Sequence, residues 1–321
     1  MVSIQSLRGV AATMVVVLHV STSTKPFGWD ELTPLSAGVD IFFVISGFIM
    51  WVTTAAKPDI TALRFYNDRI IRIVPLYWFL TVIALAFVTV TPPHIAASLV
   101  FLPYPNKAGF APVLIPGWTL IYEMFFYLLF GAAVWLSPGR LVHRAALILS
   151  SLAVLVIVGR LLKPEGVFGF YTDAIIAEFA FGISLGILFR LKPLATHPIW
   201  TLGAVLGVGM IGLSFTTNMG PRIIASGLPA TLIVAGAVFG CWPRLKLLEA
   251  VGNWSYSLYL SHWIVIIAIP AIPAIPEVPG PNWVKALLLM ITCFLTSAIS
   301  YRFFEVPVTR WLKGRNKPVW P

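Results

Sequence analysis

The sequence predicts an all-α integral membrane protein of about ten transmembrane helices, with both termini in the cytoplasm. Composition is the first reason. Of the 321 residues 59% are hydrophobic and only 11% are charged, with mean hydropathy +0.91. A soluble domain carries about 25% charged residues, so a water-facing globule is excluded. The second reason is ten apolar segments, each close to the length that spans a bilayer: 6–24, 36–54, 73–91, 117–136, 143–162, 173–190, 198–216, 222–240, 254–272 and 282–304. The third is the placement of Lys and Arg. With the N-terminus inside, the cytoplasmic set is Arg8, Lys57, Arg64, Arg69, Arg72, Arg140, Arg144, Arg190, Lys192, Arg244, Lys246, Arg302, Arg310, Lys313, Arg315 and Lys317. The outer set is only Lys25, Lys107, Arg160, Lys163, Arg222 and Lys285. That split satisfies the positive-inside rule. The net charge of +10 therefore reflects topology, not nucleic-acid binding.

The elements follow in order. The first span reads as a retained helix: no Ala-x-Ala site follows it, and a histidine interrupts its apolar run. Between the third and fourth spans, Ala96 to Leu102 is apolar but too short to cross, which predicts an interfacial or re-entrant piece. Cys241 and Cys293 fall in different spans at different depths, so no disulfide is expected, and neither has metal-ligand company. There is no nucleophile elbow, phosphate-binding loop, His-Glu-x-x-His pair or fixed-period repeat. The expectation is one membrane-embedded domain over 1–321, with a short basic cytoplasmic tail from about residue 306 and no metal.

The candidate chemistry lies in ionisable residues inside spans, which are expensive there and mark function by default. His19 follows Arg8 by eleven residues in the first span. That spacing is three turns plus about 20°, so the two share a helix face about 16 Å apart along the axis. His19 is five residues from the outer end of span one, Asp40 four residues into span two, and Glu123 six residues into span four. All three then lie roughly 6–9 Å from the outer surface. A neutral imidazole there can take a proton from a sugar hydroxyl if a carboxylate, Glu123 or Asp40, fixes its tautomer. Tyr127, one turn after Glu123, can hold that carboxylate. The plain alternatives are a histidine that joins two helices, an Asp40 placed for the helix dipole, and a Glu123 with a structural partner.

Further along, Ser255, Tyr259 and His262 form a polar stripe at i, i+4 and i+7 on span nine. It reads either as a packing seam or as the lining of a substrate pathway. Its position in the inner half predicts that His262 is too far from His19 to touch it. Glu178 has no companion motif and receives no role. Arg69 and Arg72, just before span three, are one turn apart and can clamp a phosphate between them, although basic anchoring alone explains many such arginines.

These residues resemble a known family. Arg8 with His19, the run Gly38-Val39-Asp40-Ile41-Phe42-Phe43-Val44-Ile45-Ser46-Gly47-Phe48, Arg69-x-x-Arg72-x-x-Pro75, Trp118-Thr119-Leu120-Ile121-Tyr122-Glu123 with Phe126-Tyr127, Ser255-Tyr256 with Tyr259-Leu260 and His262, and Phe304-Glu305-x-Pro307 are similar, in order, to acyltransferase family three. The resemblance implies a ten-helix bacterial inner-membrane enzyme that takes an acyl group, usually acetyl, from cytoplasmic acyl-CoA as co-substrate. The acceptor it implies is a cell-surface polysaccharide or lipid-linked glycan, with exopolysaccharide or O-antigen the best fit to a chain without a fused extracytoplasmic domain. It marks Arg8 and His19 as essential, His19 as catalytic, and Arg69 and Arg72 as lying near the donor. Direct transfer and an acyl-histidine intermediate are both compatible with it. The competing readings are a transporter or flippase of a lipid-linked glycan and a non-catalytic subunit of a polysaccharide export complex.

Overall fold

The computed structural model describes residues 1–25, 33–106, 109–191, 197–214, 220–242, 245–271 and 281–314. The helices are α1 Val2–Thr24, α2 Ala37–Ala55, α3 Ala62–Ala84, α4 Pro92–Leu99, α5 Trp118–Leu136, α6 Leu141–Leu162, α7 Gly166–Tyr171, α8 Ala177–Leu191, α9 Pro198–Leu213, α10 Leu228–Phe239, α11 Lys246–Asn253, α12 Ser255–Ala271, α13 Asn282–Ser300 and α14 Val306–Lys313. Among the described residues the only strands are the two-residue pair β1 Pro105–Asn106 and β2 Gly109–Phe110, antiparallel with Pro105 opposite Phe110. Among the described residues, six helical stretches are long and apolar enough to cross a membrane: Val2–Thr24, Thr33–Ala55, Ile115–Leu136, Leu141–Leu162, Gly166–Leu191 and Asn282–Lys313. Shorter apolar helices cover Pro198–Leu213, Ile223–Phe239 and Ser255–Ile269. Helix α6 exposes Val142, Val154, Ile157, Leu161 and Leu162, side chains that hydrocarbon solvates and water does not. The chain is a multi-pass membrane protein.

Two boundaries differ from the sequence reading. The third helix spans Ala62–Ala84 rather than 73–91, so Arg64, Arg69 and Arg72 lie inside it and not before it. A hydropathy window finds the apolar part of a helix, whereas the backbone hydrogen bonds continue through its charged first turns. The expected tail from about residue 306 is instead helical to Lys313, joined to α13 by a π turn at Tyr301–Glu305. Lys107, Lys192, Arg244, Arg315 and Lys317 of the charge map lie outside the described residues, as do residues 215–216 and 272 of the predicted spans.

The described chain separates into two compact units that alternate along the sequence. Unit one is Met1–Ala11, Ala37–Asp68 and Tyr122–Gly252, and unit two is Ala12–Ser36, Arg69–Ile121 and Asn253–Pro321. Helices α1, α3 and α5 each run from one set into the other. In unit one, α2 crosses α8 so closely that side chains are excluded from the contact. A Cβ on Gly47 would lie 2.1 Å from the Phe179 carbonyl oxygen, and one on Gly182 would lie 2.0 Å from that of Val44. Small residues at both positions let the backbones meet, the usual way helices associate where no hydrophobic effect drives them. Entry into α8 is set by Asp173, whose carboxylate accepts from the Ile175 amide at 2.8 Å and starts a 3₁₀ turn at Ala174–Ile176.

In unit two the segment predicted as interfacial or re-entrant is a packed helix and hairpin. Thr91 is extended, and Pro92 opens α4 where a missing N–H costs nothing. Ser98 Oγ donates to His94 O at 2.7 Å and accepts from the Val113 amide at 2.9 Å, while Tyr77 Oη donates to Ser98 O at 3.2 Å. His94 Nε2 donates to Ala111 O at 2.9 Å. These bonds tie the segment to α3 and bring Pro116 to the start of α5.

Candidate active site

Helix α12 organises unit two because the run Ser255-Tyr256-Ser257-Leu258-Tyr259-Leu260-Ser261-His262 puts a polar atom on several sides of it. Tyr256 Oη donates to Ile73 O on α3 at 2.7 Å. Ser257 Oγ donates to Glu305 Oε2 at 2.6 Å. Tyr259 Oη donates to Pro116 O at 3.0 Å and lies 2.8 Å from Thr119 Oγ1. Each bond replaces water for a group that has none available, which fixes the rotation of α12 about its axis. Ser255, Tyr259 and His262 are all buried, and the Ser255 hydroxyl has no hydrogen-bond partner among the described residues.

That rotation aims His262 at α1. His19 Nδ1 lies 2.9 Å from His262 Nε2, and His262 Nδ1 lies 3.0 Å from Leu258 O. The two rings are 14° from coplanar with centroids 5.1 Å apart. This is the separation of rings meeting edge to edge through an in-line N···N contact, not of rings stacked face to face. Trp263 meets His19 at 73° with centroids 5.3 Å apart and restricts its ring from the side. His262 is fully buried, whereas His19 is only partly so. The expectation that His262 lies too deep to touch His19 is therefore corrected. Depths counted from segment ends assume a common zero, but α1 has 23 residues and α12 has 17, preceded directly by α11. The hydrogen-bonding neighbour of His19 Nδ1 is His262, a group the sequence reading did not weigh for orienting it.

Arg69 and Arg72 sit one turn apart on α3, as their spacing requires. The Arg72 guanidinium carbon is 5.9 Å from the centre of the Tyr256 ring, a cation–π contact. Tyr256 and His262 are six residues apart on α12, about 9 Å along the axis. One helix thus carries both the aromatic ring that Arg72 packs over and the partner of His19. Arg8 lies on α1, continuous with His19 as predicted.

The two carboxylates belong to unit one. Glu123 Oε1 accepts from Ser46 Oγ at 3.0 Å and from Tyr127 Oη, so the i+4 pairing read from the sequence is formed. Asp40, in the first turn of α2, is fully buried and its Oδ2 pairs with the Arg222 guanidinium at 2.9 Å. Glu178, fully buried on α8, lies within electrostatic reach of both. Its Oε1 would be 3.3 Å from a Cβ on Gly227, in the π turn Ile223–Gly227 that follows Arg222. The sequence reading missed Arg222 and Glu178 as partners of Asp40, and it missed Trp263 beside His19. Depth was the available signal for the first pair. Spans two, six and eight all enter from the outer side of the charge map, and Asp40, Glu178 and Arg222 stand within their first residues.

Residues 1–302 match the family model of acyltransferase family three, described as an acyltransferase domain. The exopolysaccharide production protein ExoZ of Rhizobium meliloti (strain 1021) is 33% identical over 305 residues, which cover 88% of this chain and 92% of ExoZ. The O-acetyltransferase OatA of Staphylococcus aureus (strain NCTC 8325 / PS 47) is 23% identical over 353 residues, covering 96% of this chain and 57% of OatA. The peptidoglycan O-acetyltransferase OatA of Listeria monocytogenes serovar 1/2a is 23% identical over 380 residues, covering 99% and 59%. The chain thus spans less than two thirds of either OatA. No solved structure matches it. With a match that runs from the first residue of α1 through α13, this chain belongs to acyltransferase family three and is an acyltransferase.

Proposed function

We propose that the chain is an acyl-CoA-dependent O-acetyltransferase of a bacterial inner membrane, acting on an exopolysaccharide, an O-antigen or a related cell-surface glycan. The observation that carries this reading is the in-plane His19–His262 contact on the same helix, α12, that supports Arg72 through Tyr256. Family membership and the functions for which ExoZ and OatA are named support the acceptor class and the acetyl group. We read the chain as one membrane-embedded domain of ten spans with both ends inside, supported by the Lys and Arg split.

In this reading Arg69 and Arg72 hold the phosphates of acetyl-CoA, with Arg8 a further cation on the donor side. His19 takes the proton of an acceptor hydroxyl as its oxygen attacks the thioester carbonyl carbon. The C–S bond then breaks, and the departing thiolate of CoA takes the proton back from His19. Alcohol and thioester become ester and thiol, with no redox change and no metal. Asp40 is committed to Arg222, and Glu123 presents an oxygen, Oε2, that Ser46 and Tyr127 do not use.

The test is purified protein in nanodiscs with acetyl-CoA labelled in the acetyl group and a bacterial glycan acceptor. Label should pass to the glycan as an alkali-labile ester. Label that stays on CoA, with glycan carried across the bilayer when the same protein is sealed into proteoliposomes, would establish a transporter instead. In the same assay Arg69→Gln or Arg72→Gln should raise KM for acetyl-CoA about tenfold or more with kcat nearly kept, because a phosphate clamp acts on ground state and transition state alike. A pure kcat defect with unchanged CoA binding would remove both arginines from the donor site.

A further inference from the structure

The hydrogen-bond chain through His262 fixes more than the position of His19. We propose that His262 is a positioning residue that holds His19 in the tautomer protonated on Nδ1, leaving Nε2 as its proton-accepting nitrogen. The inference rests on His19 being the base of the reaction proposed above, and it specifies which atom acts.

A backbone carbonyl only accepts. His262 Nδ1, 3.0 Å from Leu258 O, is therefore the N–H of that ring. A neutral imidazole carries one N–H, so His262 Nε2 presents a lone pair in the ring plane. His19 Nδ1 faces this lone pair at 2.9 Å with the rings only 14° from coplanar, the alignment a strong N–H···N bond requires. His19 must then be the donor through Nδ1. Its Nε2 is left with the lone pair.

The supports of this chain are themselves fixed. Leu258 O belongs to the same helix, one turn before His262. The Tyr259 ring lies 6.3 Å from His262 and is anchored at Pro116 and Thr119. On the backbone of His262, Cys293 Sγ is 3.9 Å from its carbonyl oxygen. The logic is that of a triad in which the second residue sets the tautomer of the base. Here a backbone carbonyl orients a neutral imidazole, and that imidazole orients the base. When Nε2 accepts a proton, the positive charge is shared towards His262 through the Nδ1–H bond.

The experiment is solid-state NMR on protein labelled with ¹⁵N-histidine in nanodiscs, with the His19 signals assigned by their loss in His19→Asn. Native protein should show a protonated Nδ1 and an unprotonated Nε2 on His19. His262→Leu, which removes the acceptor, should lose that signature, and His262→Gln, whose side-chain carbonyl can accept in its place, should keep it. In the transfer assay His262→Leu should lower kcat by about 10²-fold with KM for acetyl-CoA changed less than about twofold, and His262→Gln should regain most of the rate. An Nε2–H tautomer in the native protein overturns the proposal without recourse to any variant at His262. So does a fall in kcat in His262→Leu with the tautomer unchanged, which would reduce His262 to packing. A changed tautomer with an unchanged transfer rate would uphold the positioning role and instead remove His19 as the base.

Discussion

His19→Ala should lower acyl transfer by about 10²–10⁴-fold, the range for loss of a positioned general acid–base group. The loss should appear in kcat, because the role proposed for His19 is proton transfer and not binding of the donor's phosphates. The protein should still insert, because the change removes a polar group from an apolar helix. Its cost to stability is the buried Nε2 of His262 left without its donor, about 1–3 kcal/mol. Size-exclusion profiles in detergent should therefore match the native protein while labelled acetate no longer reaches the glycan. A purified His19→Ala protein with near-native turnover would make this residue a helix-joining group and nothing more.

Arg222→Gln should clearly destabilise unit one. It leaves Asp40 and Glu178, both fully buried in unit one, without the guanidinium that faces them. Breaking a buried pair costs about 3–5 kcal/mol; with its side chain 38% exposed, Arg222 should fall at the lower end, about 3 kcal/mol. A fluorescence-monitored thermal melt should show a clearly lower midpoint. The double variant Asp40→Asn/Arg222→Gln should recover much of it, because the uncompensated charge is removed with its partner. If Arg222→Gln melts like the native protein, the pair carries no stability and the unit-one carboxylates are solvated in another way.

The legible parts of this fold were those fixed by one helix. The Arg8 to His19 spacing, the one-turn step from Arg69 to Arg72 and the Tyr127–Glu123 hydrogen bond all follow from 3.6 residues per turn. Contacts between helices were legible only as far as depth could be counted. Counting put His19, Asp40 and Glu123 in one outer layer, whereas Glu178, which has no companion motif, received no role and its place beside Asp40 and Arg222 was missed. The same counting failed for His262, since helices of unequal length share no common origin, and a few residues of offset decide whether two imidazoles touch. The start of α3 was hidden for a different reason: its first turns carry Arg64, Asp68, Arg69 and Arg72, and hydropathy registers charge where the backbone registers only helix.

The central proposal is acetyl transfer from a donor held at the arginine-rich face to an acceptor on the other side of the membrane. Sealed proteoliposomes of known orientation test it most directly, with labelled acetyl-CoA and glycan supplied separately to either side. Transfer should require acetyl-CoA on the side of Arg69 and Arg72 and glycan on the opposite side. A CoA phosphate does not cross hydrocarbon cheaply, and neither does a polar sugar. Equal transfer with both substrates supplied only on the arginine side would contradict the account, because the acceptor would then be modified in the cytoplasm.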